Sequence, residues 1–214
     1  ARDFLQKYSD VEGMEVHGYE RFVFQHIAQK HPTRVHYDMN LMSIWTIDIE
    51  VACENGFPDV EACQEDMLCI TMKNMMTKKI ITWGTREYDP PKDVEYRIFN
   101  TEHEMLQDFH KHWVHDTPDI ITGWNNNFYD MPYICRRIEK ILGEKWMKSL
   151  SPWNVVKDRT INVQGRANIV YDILGVTILD YLDLYKKFTY SAQESYSLEP
   201  VSYTHLRAHE TFFD

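Results

Sequence analysis

Two carboxylates one residue apart, Asp48 and Glu50, close the apolar run LMSIWTIDIEV at residues 41–51. In a strand, side chains at i and i+2 leave from the same face, about 7 Å apart along a backbone rising roughly 3.3 Å per residue. A pair so placed can share one or two hard cations, or it can be an ordinary solvated strand face. Ile44, Trp45, Ile47, Ile49 and Val51 make the run nearly continuous, which predicts a strand buried on both faces in the middle of a sheet. Carboxylates there are costly unless a metal or a cation compensates them.

A second candidate is the loop GWNNNFYD, residues 123–130, which follows the short apolar strand predicted at 119–122. Ligands collect at the carboxyl ends of strands in α/β sheets. Asn125 can hydrogen-bond a sugar or phosphate, and Phe128 and Tyr129 can stack on unpaired bases, worth about 1–3 kcal/mol each. Asp130 can ligate a metal; so close before Pro132, its spacing alone better suits the N-cap of a helix. Of the cluster His110, His112 and His115, only His112 and His115 share a helix face, and a solvated helix surface suits them better than a metal site. His205 and His209, four apart, would need further ligands to hold a metal.

The elements that must position these residues follow from local patterns. Residues 67–72, 79–83 and 94–99 read as short strands divided by turns, a β meander whose last strand alternates as an antiparallel strand should. Thr101 and Glu104 form a capping box ahead of Met105, Leu106, Phe109 and Trp113, predicting a helix. Pro132, the apolar face Ile134, Ile138, Ile141 and Leu142, and Gly143 mark a second helix. Residues 159–163 and 168–173 flank a β-hairpin tipped at Gly165, and residues 179–188 predict an amphipathic helix. The order fits an α/β fold with a mixed sheet.

The 214 residues, 43% hydrophobic and 14% aromatic, suffice for one sizeable core. Nothing resembles a membrane span or a signal peptide, and the four cysteines at 53, 63, 69 and 135 form no CxxC pair, so reduced packing residues in a soluble intracellular protein are expected. A net charge of −10 weighs against a broad basic nucleic-acid surface, though not against a nuclease whose bound cations supply local positive charge.

Four separated segments then agree in type and order: TIDIEV (46–51), ITGWNNNFYDMPYI (121–134), LGEKWMKSLSPW (142–153) and LDYLDLYKKFTY (179–190). Together they resemble the proofreading 3′-5′ exonuclease domain of family B DNA polymerases, in particular those of tailed bacteriophages. The resemblance implies a ribonuclease H-like α/β fold, a mixed sheet flanked by helices with an inserted β-hairpin. It also implies hydrolysis of the terminal phosphodiester with two Mg²⁺ ions, Mn²⁺ being an alternative, about 3.5–4 Å apart. Asp48 would bridge the ions, Glu50 would hold the water-activating one, and Asp130 would support the second. Asn125 and Tyr129 match the rest of the second motif, and Phe57 matches an aromatic that stacks at the primer 3′ end. For Phe57 a loop aromatic folded onto the core is an equal reading. The hairpin at Gly165 matches one that helps move the primer strand between polymerase and exonuclease sites.

The resemblance further implies residues 1–40 as a remnant of the polymerase N-terminal domain and 41–199 as the exonuclease domain. Residues 200–214 resemble translated adapter sequence, a non-native tail. The family's third motif, Tyr, three residues, Asp, has no match at any tyrosine; Tyr190 has Glu194 at that offset, too early in the chain. The fourth carboxylate is therefore expected outside these residues, leaving the chain weak or inactive alone. Implied partners are the single-stranded 3′ end of primer DNA, the remaining polymerase domains and a sliding clamp, in a host bacterial cytoplasm and away from membranes. A non-catalytic module binding single-stranded nucleic acid is the alternative.

Overall fold

The computed structural model describes residues 7–8, 22–34, 36, 38–53, 56–163, 165–189 and 196–198. The chain divides into two compact units, Ala1–Met39 and Asn40–Asp214. In the first, the described structure centres on helix α1 (Phe22–Lys30). Tyr190, Glu194, His205, His209 and the segment 200–214 lie outside the described residues.

The second unit is built on a six-stranded mixed sheet. Its strands are β1 (Ile44–Val51), β2 (Met67–Asn74), β3 (Ile80–Gly84), β4 (Val94–Ile98), β5 (Ile120–Gly123) and β8 (Thr177–Asp180). They lie in the order β4-β3-β2-β1-β5-β8. Strands β6 (Val156–Val163) and β7 (Arg166–Ile173) form a separate antiparallel hairpin, turned at Gly165 with φ +81°. The helices are α2 (Glu102–His115), α3 (Asp130–Leu142), the short α4 (Glu144–Lys148) and α5 (Tyr181–Phe188).

Helices α2 and α3 cover one face of the sheet. Trp45, Ile47 and Ile49 of β1 meet Met105, Leu106, Phe109 and Trp113 of α2 and Met131, Ile134 and Ile138 of α3 in one buried core. The N-cap half of the predicted capping box starts α2, with the Thr101 hydroxyl accepting the Glu104 N–H at 3.2 Å. Helix α3 ends at Gly143, whose φ of +102° suits the glycine that closes a helix.

Three expectations are corrected. β1 is not buried on both faces: Trp45, Ile47 and Ile49 point into the core, while Thr46 is half-buried and Asp48 and Glu50 are exposed on the other face. The run looked continuous because Ile44 and Val51 sit at its ends; between them the alternation is strict. The meander breaks at β4, which pairs with β3 in parallel rather than antiparallel. Residues 85–93, with Pro90 and Pro91, form a connection long enough to carry the chain back before β4 begins. Finally, Leu179 and Asp180 belong to β8, because Thr177–Asp180 pair in parallel with β5, and the helix starts at Tyr181.

The loop between β1 and β2 is tied to the helices by one buried cation. Arg137, 3% exposed, holds Glu102 through two bonds of 2.6 Å, pairs with Asp66, and donates to the carbonyls of Cys63 and Gln64. Glu102 in turn accepts the Met67 N–H at 2.8 Å, at the start of β2. Removing the arginine strands a buried carboxylate, so Arg137→Met is expected to destabilise the chain by roughly 3–5 kcal/mol in urea unfolding. The double variant Arg137→Met/Glu102→Leu should lose distinctly less, because no buried charge is left unpaired and Asp66 is exposed to water.

Candidate active site

Asp130 is the first residue of α3 and only 4% exposed. It does not act as a cap: Tyr129 holds the N-cap position and makes no side-chain capping bond. The Asp130 Oδ1 instead accepts the Ile49 N–H at 3.1 Å, which places the carboxylate against the strand segment between Asp48 and Glu50. Burial, then the charge of Asp48, push Asp130 up to about 7, with Asp180 adding a smaller repulsion. Asp48 is also raised, by partial desolvation opposed by the Ile49 N–H. Burial and the neighbouring Asp130 and Glu50 charges push the Tyr129 hydroxyl up to about 12. The two predicted acidic motifs thus converge, and their like charges are felt across the gap.

They do not converge into a finished ligand cage. Among the described residues, no group of three His, Cys, Asp or Glu side chains is arranged to hold a metal ion. His110 and His112 are packing residues: the solvated surface expected for His112 and His115 holds for the exposed His115 and is corrected for His112. Its ring lies edge-on to Trp45 at 5.6 Å and tilted against Trp83 at 5.2 Å. His110 is buried, with Nε2 2.9 Å from the Trp146 carbonyl and 2.8 Å from Ser149 Oγ. Both imidazoles are held below their usual proton affinity, chiefly by burial. All four cysteines are free; Cys63 and Cys135 pack in the core, Cys69 is half-buried, and Cys53 departs from the packing expectation by lying exposed, its thiol donating to the Gly56 carbonyl at 2.9 Å.

The loop between β5 and α3 divides the remaining candidates between two clefts. On one side, a groove of about 680 Å³ is lined by Phe57, Asn125, Phe128 and Tyr129, together with Arg166, Asn168 and Lys186. Phe57 is 82% exposed and leans on the Tyr129 ring, centroids 5.1 Å apart, so it does not fold onto the core. Gly165 tips the hairpin whose next residues, Arg166 and Ala167, form a groove wall. On the other side, a cleft of about 710 Å³ is lined by Thr46, Asp48, Trp124, Tyr181 and Tyr185. Glu50 lines neither.

The loop itself is tightly set. Gly123 is required where it stands, because a Cβ there would meet the Ile47 carbonyl oxygen at 2.7 Å and the Asn126 Cβ at 3.1 Å. Asn125 takes the left-handed conformation, φ +61°, which asparagine tolerates better than most residues. Asn126 is fully buried, and neither its Oδ1 nor its Nδ2 has a hydrogen-bond partner.

Three functional candidates escaped the sequence reading. Arg166 and Lys186 carry no motif, and only the fold brings hairpin and α5 to one groove. Asp180 was placed inside a helix; the spacing of Asp180 and Asp183 ahead of an amphipathic run is itself a cap signal that could have found it.

A six-stranded mixed sheet flanked by helices, with carboxylates on a central strand and at the head of the helix beside it, defines a domain of the ribonuclease H-like exonuclease class. The family model described as DNA polymerase family B, exonuclease domain, matches residues 18–201. The chain belongs to that family. It is 32% identical to a DNA-directed DNA polymerase of Enterobacteria phage T4 over 94% of its length, and 28% identical to that of Escherichia phage RB69 over 100%. A DNA polymerase catalytic subunit of human herpesvirus 6B is 32% identical over 47% of the chain. The chain spans 25% and 26% of the two phage proteins. Exonuclease domains of this family use divalent metal ions. Among the described residues no helix is long and apolar enough to cross a membrane.

The raised Asp130 fixes a pH dependence. A carboxyl that holds its proton more tightly in the folded state makes folding take up a proton, so stability falls as pH rises from about 4 to about 7 and is level above. Asp130→Asn keeps an acceptor for Ile49 and removes the charge. In EDTA it should exceed the parent by about 2–4 kcal/mol at pH 8 and by little at pH 4. Urea unfolding at the two pH values checks this; an equal difference at both refutes it. Asn126→Val, which removes two unpaired buried polar atoms, is expected to stabilise by about 1–3 kcal/mol in the same assay.

Proposed function

We propose that this site removes nucleotides from the unpaired 3′ end of a DNA strand by divalent-metal-dependent hydrolysis, the proofreading step of a family B DNA polymerase. The observation that carries the reading is the 3.1 Å bond from Ile49 N–H to Asp130, which draws the second motif onto the strand bearing Asp48 and Glu50. The donor set suits hard cations: carboxylate oxygens of like charge, with Asp48 and Asp130 already raised toward their protonated forms, chiefly by burial. On this reading Asp48, Glu50 and Asp130 hold two Mg²⁺ ions, or Mn²⁺. When bound, the ions supply an activated water and neutralise charge on the leaving 3′ oxygen.

The chain's other residues do the binding. Phe57 and Tyr129, already in contact, offer stacking surfaces for terminal bases, with Phe128 beside them. Asn125 reaches sugar or phosphate from the groove wall, and Arg166 and Lys186 face phosphates from the hairpin and α5. Unpaired ends are favoured because a frayed mismatch costs less to separate than a correct pair. Residues 1–40 would then belong to the N-terminal domain of the parent polymerase and 200–214 to no native element. The parent would work in the host bacterial cytoplasm with its other polymerase domains and a sliding clamp.

A second reading, a module that binds single strands without cutting them, is favoured by the lack of a three-ligand metal group among the described residues. It is favoured too by the lack of any tyrosine with Asp four positions later in the 214 residues. The two readings separate with a 3′-labelled single strand in Mg²⁺. Measurable release of labelled nucleotide, abolished by Asp48→Ala with the fold intact by circular dichroism, supports the nuclease. Binding with no metal-dependent release, even after the chain is extended through a Tyr-x3-Asp motif, supports the module. Under either, Phe57→Ala should weaken strand binding about tenfold in fluorescence anisotropy, the worth of one lost stack.

A further inference from the structure

Asp180 is a buried carboxylate, 6% exposed, that belongs to neither acidic motif. It ends β8 opposite Gly123, the last residue of β5. Its Oδ1 accepts the Leu182 N–H at 2.9 Å and so caps α5. The same oxygen accepts the Asn125 N–H at 3.0 Å, and Oδ2 accepts the Asn127 N–H at 3.0 Å. Three backbone donors converge on one side chain, from two elements separated by more than fifty residues.

The two loop bonds bracket Asn126. Burying that asparagine with an unpartnered amide is unfavourable, and the loop would relieve the cost by lifting it toward water. Bonds to an ionised acceptor are about twice as strong as neutral ones, and they hold the backbone down on both sides. They also hold Asn125 at φ +61°, the conformation from which its carbonyl takes the Phe128 and Tyr129 N–H groups at 3.2 and 3.1 Å. Asn126 in turn accepts the Met131 N–H at 2.9 Å, within the first turn of α3. The chain of bonds runs from Asp180 through Asn125 to Tyr129, and through the bracketed Asn126 to the helix headed by Asp130.

Resting on the single-strand reading of the groove, we propose that Asp180 is a positioning residue: it locks the 125–129 loop to the start of α5, so that Asn125 and Tyr129 on one wall and Lys186 on the other present a single preformed surface to a DNA strand. Preforming lowers the ordering cost of binding. Asp180 touches no strand itself; it acts through Asn125.

Serine at 180 separates the two duties of the carboxylate. Asp180→Ser keeps a good N-cap for α5 but is too short to reach both loop amides. In the full 214-residue chain, binding of a fluorescein-labelled single-stranded oligothymidylate, measured in EDTA to prevent cleavage, should weaken about tenfold in Asp180→Ser. In an Asn125→Ala background the same change should cost no more than about twofold, because the residue through which it acts is gone. Asp180→Asn, which retains one oxygen for Asn125 and Leu182, should fall between serine and the parent. Amide exchange should speed at residues 125 and 127 in the serine variant while α5 keeps its protection. Full binding by Asp180→Ser, or a loss that simply adds to that of Asn125→Ala, overturns the proposal. Should the parent chain bind no oligonucleotide, the strand reading fails; the clamp is then decided by exchange alone, unchanged protection at 125 and 127 overturning it and selective loss there sustaining it.

Discussion

The arrangement rests on one hydrogen bond from main chain to side chain, from the Ile49 N–H to a carboxylate 81 positions later in sequence. Ile49 sends its side chain into the core, so its amide is fixed by packing. The carboxylate is fixed by the helix it begins, whose next turns bury Met131, Ile134 and Ile138 against the same strand. Core packing and site geometry are therefore one problem. Whatever displaced α3 from β1 would separate Asp130 from Asp48 before it opened the core elsewhere.

That coupling has an electrostatic side. A carboxylate placed where water is scarce and a second carboxylate is near gives up stability in the metal-free protein. The surrounding structure supplies enough hydrophobic contact, and enough buried ion pairing around Arg137, to hold it. A divalent cation binding there would relieve what the fold has stored, so binding energy goes to neutralising charge rather than to rearranging backbone. The chain is acidic overall, and Arg166 and Lys186 are the cations that line the groove.

Much of this was legible in the residues. The Asp-x-Glu spacing set both carboxylates on one face whatever the strand's depth, the Thr101 cap started α2 where the pattern placed it, and Gly165 turned the hairpin. What failed did so for identifiable reasons. A one-dimensional apolar run does not reveal that helices cover only one side of a sheet, so β1 was taken as buried on both faces. Alternation in β4 speaks of faces, not of strand direction. Leu179 and Asp180 fit a helical pattern, but pairing with β5 outweighed it, a contact no local window contains. Arg166 and Lys186 lie twenty positions apart, and nothing in either neighbourhood signals that they meet across a groove.

The hairpin shows how a rigid body can carry a compliant part. Its root is packed: Val156, Tyr171 and Ile173 belong to the main core. Its outer half, from Arg159 to Val163 and from Arg166 to Asn168, is exposed for most of its length, and among the described residues no third strand pairs with it. Two strands of eight residues make a lever roughly 26 Å long. A tilt of about 5° at the root would sweep the tip by about 2 Å, at the cost of small adjustments around three anchored side chains. Such a tilt would shift the groove wall bearing Arg166 by that amount relative to the acidic strand and the head of α3.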